Sequence, residues 1–242
     1  MMNKVLLKSA FTIGLLAMLL AVPVYGATVN KSITVPAGGE SDGESSVNGS
    51  ITVGDGAVVT GGLHTVNGSI KVGANARIES AETVNGSVTI GDGVVGTSFE
   101  TVNGSIRVGT DVNATGDLET VNGKISAKSG STITGGAENV NGSIILEGSE
   151  IGGDVSTVTG NVNLSDGATI KGDLIIEKPS SWSFGNKKKK IPEIVIGPGS
   201  TVAGVIRVER EAKLFISETA SVGGVEGIMT MDDAVRFSGD RP

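Results

Sequence analysis

The chain has 242 residues, 38 of them glycine, with no cysteine and a single histidine, tryptophan and tyrosine. Aromatics make up 3% and charged residues 19% of it, the latter below the usual ~25%. This excludes a disulfide scaffold, a cysteine-ligated zinc site, a thiol nucleophile and a lipoprotein anchor. The 38% hydrophobic content is too high for a generic disordered chain, and glycine lacks the every-third spacing of collagen.

Residues 1–26 read as a signal peptide. Lys4 and Lys8 precede an apolar run from Phe11 to Val24, and small residues follow, with a cut expected between Gly26 and Ala27. The run is shorter than the ~20 residues that span a bilayer, and no later segment is long or apolar enough to do so. Export is therefore expected, to the periplasm, the cell surface or the medium. Without the leader the chain carries 17 basic and 26 acidic side chains, a net charge of −9, which phosphate backbones repel. Nucleic acid is not an expected partner.

The main signal is internal repetition. The pattern Val-Asn-Gly-Ser-Ile begins at Val29, Val47, Val66, Val84, Val102, Val121, Val140 and Val158, with gaps of 18, 19, 18, 18, 19, 19 and 18 residues. Within a repeat, β-branched residues alternate, and Val66, Ile70 and Val72 are read as one side of a strand. A second inward position falls near Ile78, Val95, Ile133, Ile151 and Ile170, and a third near Leu63, Phe99, Leu118, Ala137, Val155 and Leu174. Glycine-rich corners separate them. Three short strands per repeat describe one rung of a parallel β-helix, whose apolar face is buried only by stacking on its neighbours. The fold class is all-β: a single-stranded parallel β-helix, or solenoid, of about ten 18–19-residue rungs over residues 27–225. The mixed spacing favours a right-handed over a left-handed form.

The pattern breaks once, over residues 178–192, where an inserted loop carries Trp182, Phe184 and the run Lys187, Lys188, Lys189, Lys190. It resumes at Ile194-Val195-Ile196-Gly197 and continues through Val202, Leu214, Ile216 and Val222. Residues 226–242 are a C-terminal cap or tail, with Ile228 to Phe237 read as a short amphipathic helix.

The Val-Asn-Gly-Ser-Ile-x-Val rungs resemble bacterial adhesin-type β-solenoid domains of unknown function. The segment Ile194-x-Ile196-Gly197-Pro198-Gly199-x-x-Val202-x-Gly204 resembles the polymer-forming rung of bactofilins. The resemblances imply a solenoid architecture and, from the bactofilins, filament formation; the signal peptide departs from those cytoplasmic proteins.

Glu82, Glu100, Glu119 and Glu138 share one register and should stack as an acidic ladder, a candidate for cations or a basic partner against the plainer reading of a solvated corner. His64 takes the same place one rung earlier and reads as an exposed substitution. The asparagines of the repeat should hydrogen-bond along the rod. Ser50, Thr52, Ser69, Lys71, Ser87, Thr89, Ser105 and Arg107 make an outward polar face. No rung breaks the pattern to bring in paired carboxylates or an Arg–Lys–Asp cluster, so no catalytic residue, cofactor or metal ligand is assigned. The expected function is that of a non-catalytic, exported structural or adhesin-like protein; the alternative is a β-helix that binds or degrades polysaccharide. Expected partners are polysaccharide or an anionic envelope surface at the 178–192 loop, and further copies meeting end to end. That meeting is expected head to head through the Val29–Val35 rung, with Lys31 arguing against it, because an edge lysine blunts strand addition.

Overall fold

The computed structural model describes residues 29–179 and 191–242. The leader, the core of the inserted loop, and with it Trp182, Phe184 and Lys187 to Lys190, lie outside the described residues. What is described is a parallel β-solenoid of about ten turns, its strands two to six residues long. Two sheets run nearly the length of the rod and a third covers its later rungs, with the two-stranded pair Glu40–Ser41 and Val58–Val59 in the first rungs. One has eleven strands, from Ile33–Val35 to Val235–Phe237; one has ten, from Glu44–Ser46 to Val225–Gly227; the third has seven strands of two residues each, from Val95–Gly96 to Ser221–Val222. At a strand spacing of ~4.8 Å the stack is roughly 50 Å long.

Register is kept rung by rung. In the eleven-stranded sheet Ile33, Ile51, Ile70, Val88, Ile106, Ile125, Ile144, Val162, Ile194 and Leu214 pair in one column. All but Ile33 are buried and form a single core with the inward residues of the other sheets. Each such side chain contributes ~1.5–3 kcal/mol on burial.

The alternation differs from the sequence reading in one of its strands. In the ten-stranded sheet the inward residue beside Val66 is Thr65, while Val66 is 36% exposed. The same inversion recurs at Thr83, Thr101 and Thr120, all buried. The threonines tolerate burial because their hydroxyls are satisfied: Thr65, Thr83, Thr101 and Thr120 donate to the carbonyl oxygens of Gly49, Gly68, Gly86 and Gly104 at 2.8, 2.8, 2.8 and 3.0 Å. Each of these carbonyls also abuts the next rung. A Cβ on Gly68, Gly86, Gly104 or Gly123 would lie 2.1, 1.9, 1.8 or 1.6 Å from the carbonyl oxygen of the glycine one rung before. Glycine is thus required after the asparagine for close approach, with no need of positive φ.

A second correction concerns Val95, which faces outward at 42% exposure, while Val94 is buried and Gly96 takes the inward register place. The reason is Phe99. Its ring is wholly buried and lies where a Gly96 side chain would be, with a Cβ there only 2.9 Å from its Cζ. Its paired neighbours are Ala81 on one side and Leu118 on the other. Small residues at 81 and 96 make room for this wholly buried aromatic ring.

Residues 228–237 are not an amphipathic helix. Only Met231–Asp233 forms a 3-10 turn, capped by Asp233, whose carboxylate accepts hydrogen bonds from the Thr230 amide and hydroxyl. Val235–Phe237 then adds a parallel strand to Lys213–Ser217. The run is too short for a helix once its last residues extend the sheet.

The insertion leaves the stack undisturbed. Val162 pairs with Ile194 as Ile144 pairs with Val162, and the Gly197 amide donates to the Leu164 carbonyl at 2.8 Å. The chain leaves from Leu174–Ile176, at the corner where earlier rungs carry asparagine.

Candidate functional site

The outer surface of the ten-stranded sheet holds every candidate acidic residue that the sequence singles out. Successive strands pair Ser45 with His64, His64 with Glu82, Glu82 with Glu100, Glu100 with Glu119, Glu119 with Glu138 and Glu138 with Ser156. The expected acidic ladder exists. It sits within strands, and its surroundings are drier than a solvated corner, for Glu119 is only 8% exposed.

Burial and like charge shape its titration. The Glu100 carboxyl is pushed up to about 7, chiefly by its removal from water and then by the neighbouring Glu82 and Asp117 carboxylates. Hydrogen bonding to Ser98 and the nearby His64 pull weakly the other way. His64 is not a bystander. Its Nδ1 lies 3.4 Å from Glu82 Oε2, a long ion pair, with side-chain exposures of 29% and 21%. This hydrogen-bonding approach of Glu82 raises the imidazole above its ordinary value; burial opposes it, and the charges of Glu82, Glu79 and Glu100 assist it. The column therefore carries a histidine and, two rungs on, a carboxyl that holds its proton unusually tightly. Among the described residues no three His, Cys, Asp or Glu side chains are grouped to hold a metal ion.

Beside this strip runs the asparagine ladder. The Nδ2 groups of Asn48, Asn67, Asn85, Asn103, Asn122 and Asn141 donate to the Oδ1 atoms of Asn30, Asn48, Asn67, Asn85, Asn103 and Asn122 at 2.7–3.0 Å. The Thr159 hydroxyl closes the row on Asn141 Oδ1. A parallel serine row accepts backbone amides: Ser50, Ser69, Ser87 and Ser105 amides donate to the hydroxyls of Ser32, Ser50, Ser69 and Ser87. Much of the outward polar surface is thus bonded to itself along the rod.

A set of aspartates escaped the sequence reading. Asp117, Asp154 and Asp173 accept the amides of Gly136, Asp173 and Val205, one rung on, and Asp173 also pairs with Arg207 at 3.3 Å. Their signal was present as Gly-Asp before an inward apolar residue, at Gly116-Asp117-Leu118, Gly153-Asp154-Val155 and Gly172-Asp173-Leu174. They staple the corner from one rung to the next.

Among the described residues no helix is long and apolar enough to cross a membrane. Set against protein-family models, curated proteins and solved structures, the chain matches none of them.

Proposed function

We propose that this chain is an exported, non-catalytic rod of structural or adhesin-like character, with bactofilin-like rungs near its C-terminus. The observation that carries this reading is the asparagine ladder, which runs from Asn30 to Asn141 and spends the most regular outward amides on holding one rung to the next. A surface built that way favours length and stiffness over a converging site. Its partners are envelope polysaccharide or an anionic surface at the 178–192 loop, and other copies of the chain meeting at their ends.

Deleting one rung in phase, residues 84–101, joins Thr83 to Val102 without disturbing the repeat and tests the reading. The shortened chain should keep its strand spectrum, lose ~5 Å of length by small-angle scattering, and still fractionate with the envelope and adhere to it. Loss of envelope attachment with the fold intact, or release of sugar from envelope polysaccharide by the parent chain, would overturn it.

A further inference from the structure

Two residues of the first rung break rules that the rungs next to it obey. At the glycine place after asparagine, a Cβ would strike the preceding rung's carbonyl at six successive positions: Gly49 on Lys31, then Gly68, Gly86, Gly104, Gly123 and Gly142 on the glycine before each, all at 1.6–2.1 Å. The first rung has Lys31 there. Its own carbonyl serves the rung above in the normal way, and its register is fixed by the Asn48–Asn30 and Ser50–Ser32 hydrogen bonds. A rung stacked below it in the same register would bring a carbonyl to the place of the lysine Cβ.

The second break is Pro36. In later rungs the residue after the paired strand donates its amide to the rung before: Gly54 to Val35, Gly73 to Val53, Gly91 to Val72 and Gly109 to Ile90, at 2.8–2.9 Å. Val35 pairs with Val53, so Pro36 holds the place of Gly54. Proline has no amide hydrogen to donate. One residue therefore blocks the approach of a further rung, and the other removes a hydrogen bond that such a rung would receive. Lysine and proline are also the two residues that most often blunt an exposed strand edge.

We propose that Lys31 and Pro36 make the first rung a terminator, closing the N-terminal end of the solenoid to the stacking of a second copy, whether by its first or its last rung. This stands on rung geometry and is independent of the functional reading above; for end-to-end association it leaves only the end formed by Ser221–Val222, Val225–Gly227 and Val235–Phe237.

The test is the double substitution Lys31→Gly with Pro36→Gly in the purified protein, each with and without Val29→Cys, which supplies the only thiol of a cysteine-free chain at an exposed place. Light scattering should show at least a doubling of mass for the double variant over the parent. Thiol cross-linking at position 29 should rise with it and stay at background in the Val29→Cys parent. A double variant that keeps its strand spectrum and the parent's mass overturns the proposal, as does efficient cross-linking in the Val29→Cys parent. Should the double variant fail to fold, Lys31→Gly alone must raise the mass or the cross-linking, and a folded single variant indistinguishable from the parent overturns it equally.

Discussion

Replacing Glu100 by glutamine should make the rod more stable in alkali than the parent while changing little in acid. The carboxyl lies between two stacked glutamates and rises from an ordinary 4.5 to about 7. Between those values the folded chain keeps a proton that the unfolded chain releases, so stability falls as pH rises through that window. At about 1.4 kcal/mol per unit, the ionised carboxylate costs up to ~3 kcal/mol above pH 7. His64 adds to the same trend: its raised value stabilises the fold below the ordinary imidazole range, and the gain is lost as pH climbs through the folded-state value. Glutamine keeps the shape and hydrogen-bonding capacity but cannot ionise. Thermal unfolding followed by circular dichroism from about pH 5 to pH 8.5 should show the parent melting lower as pH rises. The Glu100→Gln chain should melt roughly 6–12 °C higher than the parent at the alkaline end, at the usual 2–4 °C per kcal/mol for a chain of this size. Two melting curves that run parallel across the whole range would refute the account, because the carboxyl would then titrate alike in folded and unfolded chains.

Phe99→Ala should cost ~3–5 kcal/mol in denaturant unfolding, since the small Ala81 and Gly96 beside it cannot fill the space its ring leaves; a loss below about 1 kcal/mol would mean that the rungs collapse to fill it. Gly104→Ala should cost several kcal/mol, as its methyl would meet the Gly86 carbonyl. By contrast Gly56→Ala, at a corner of positive φ with open space around it, should cost only ~1 kcal/mol. Equal losses at the two glycines by thermal melting would count against close approach as the reason for the first.

The rung, its length and its count were legible because a solenoid writes its period directly into the chain. The column from Ile51 to Ile194 follows from alternation alone. What misled was the Glu-Thr-Val-Asn strand, where hydropathy points valine inward and threonine outward. There the hydrogen bond outweighs the methyl group: the carbonyl after asparagine needs a buried donor, which threonine offers and valine does not. Val95 misled for a different reason, because the occupant of its expected space, Phe99, is a neighbour in the same rung whose reach a periodic reading does not convey. The acidic column was visible as a register, but its titration was not, since that depends on how far Glu100 is withdrawn from water. His64 looked solitary in the sequence only because its partner stands one rung away.

The corner that opens after Ile176 shows how such a chain acquires something new. The strands flanking the detour, Leu174–Ile176 and Glu193–Ile196, pair with their neighbours as closely as strands joined by a tight corner do. Stack and corner are therefore separate inheritances: the first tolerates almost no change in its glycines, and the second accepts a segment of unrelated composition without disturbing the rest. Novelty in this architecture enters by grafting at a corner, carried at a fixed height along an unaltered shaft.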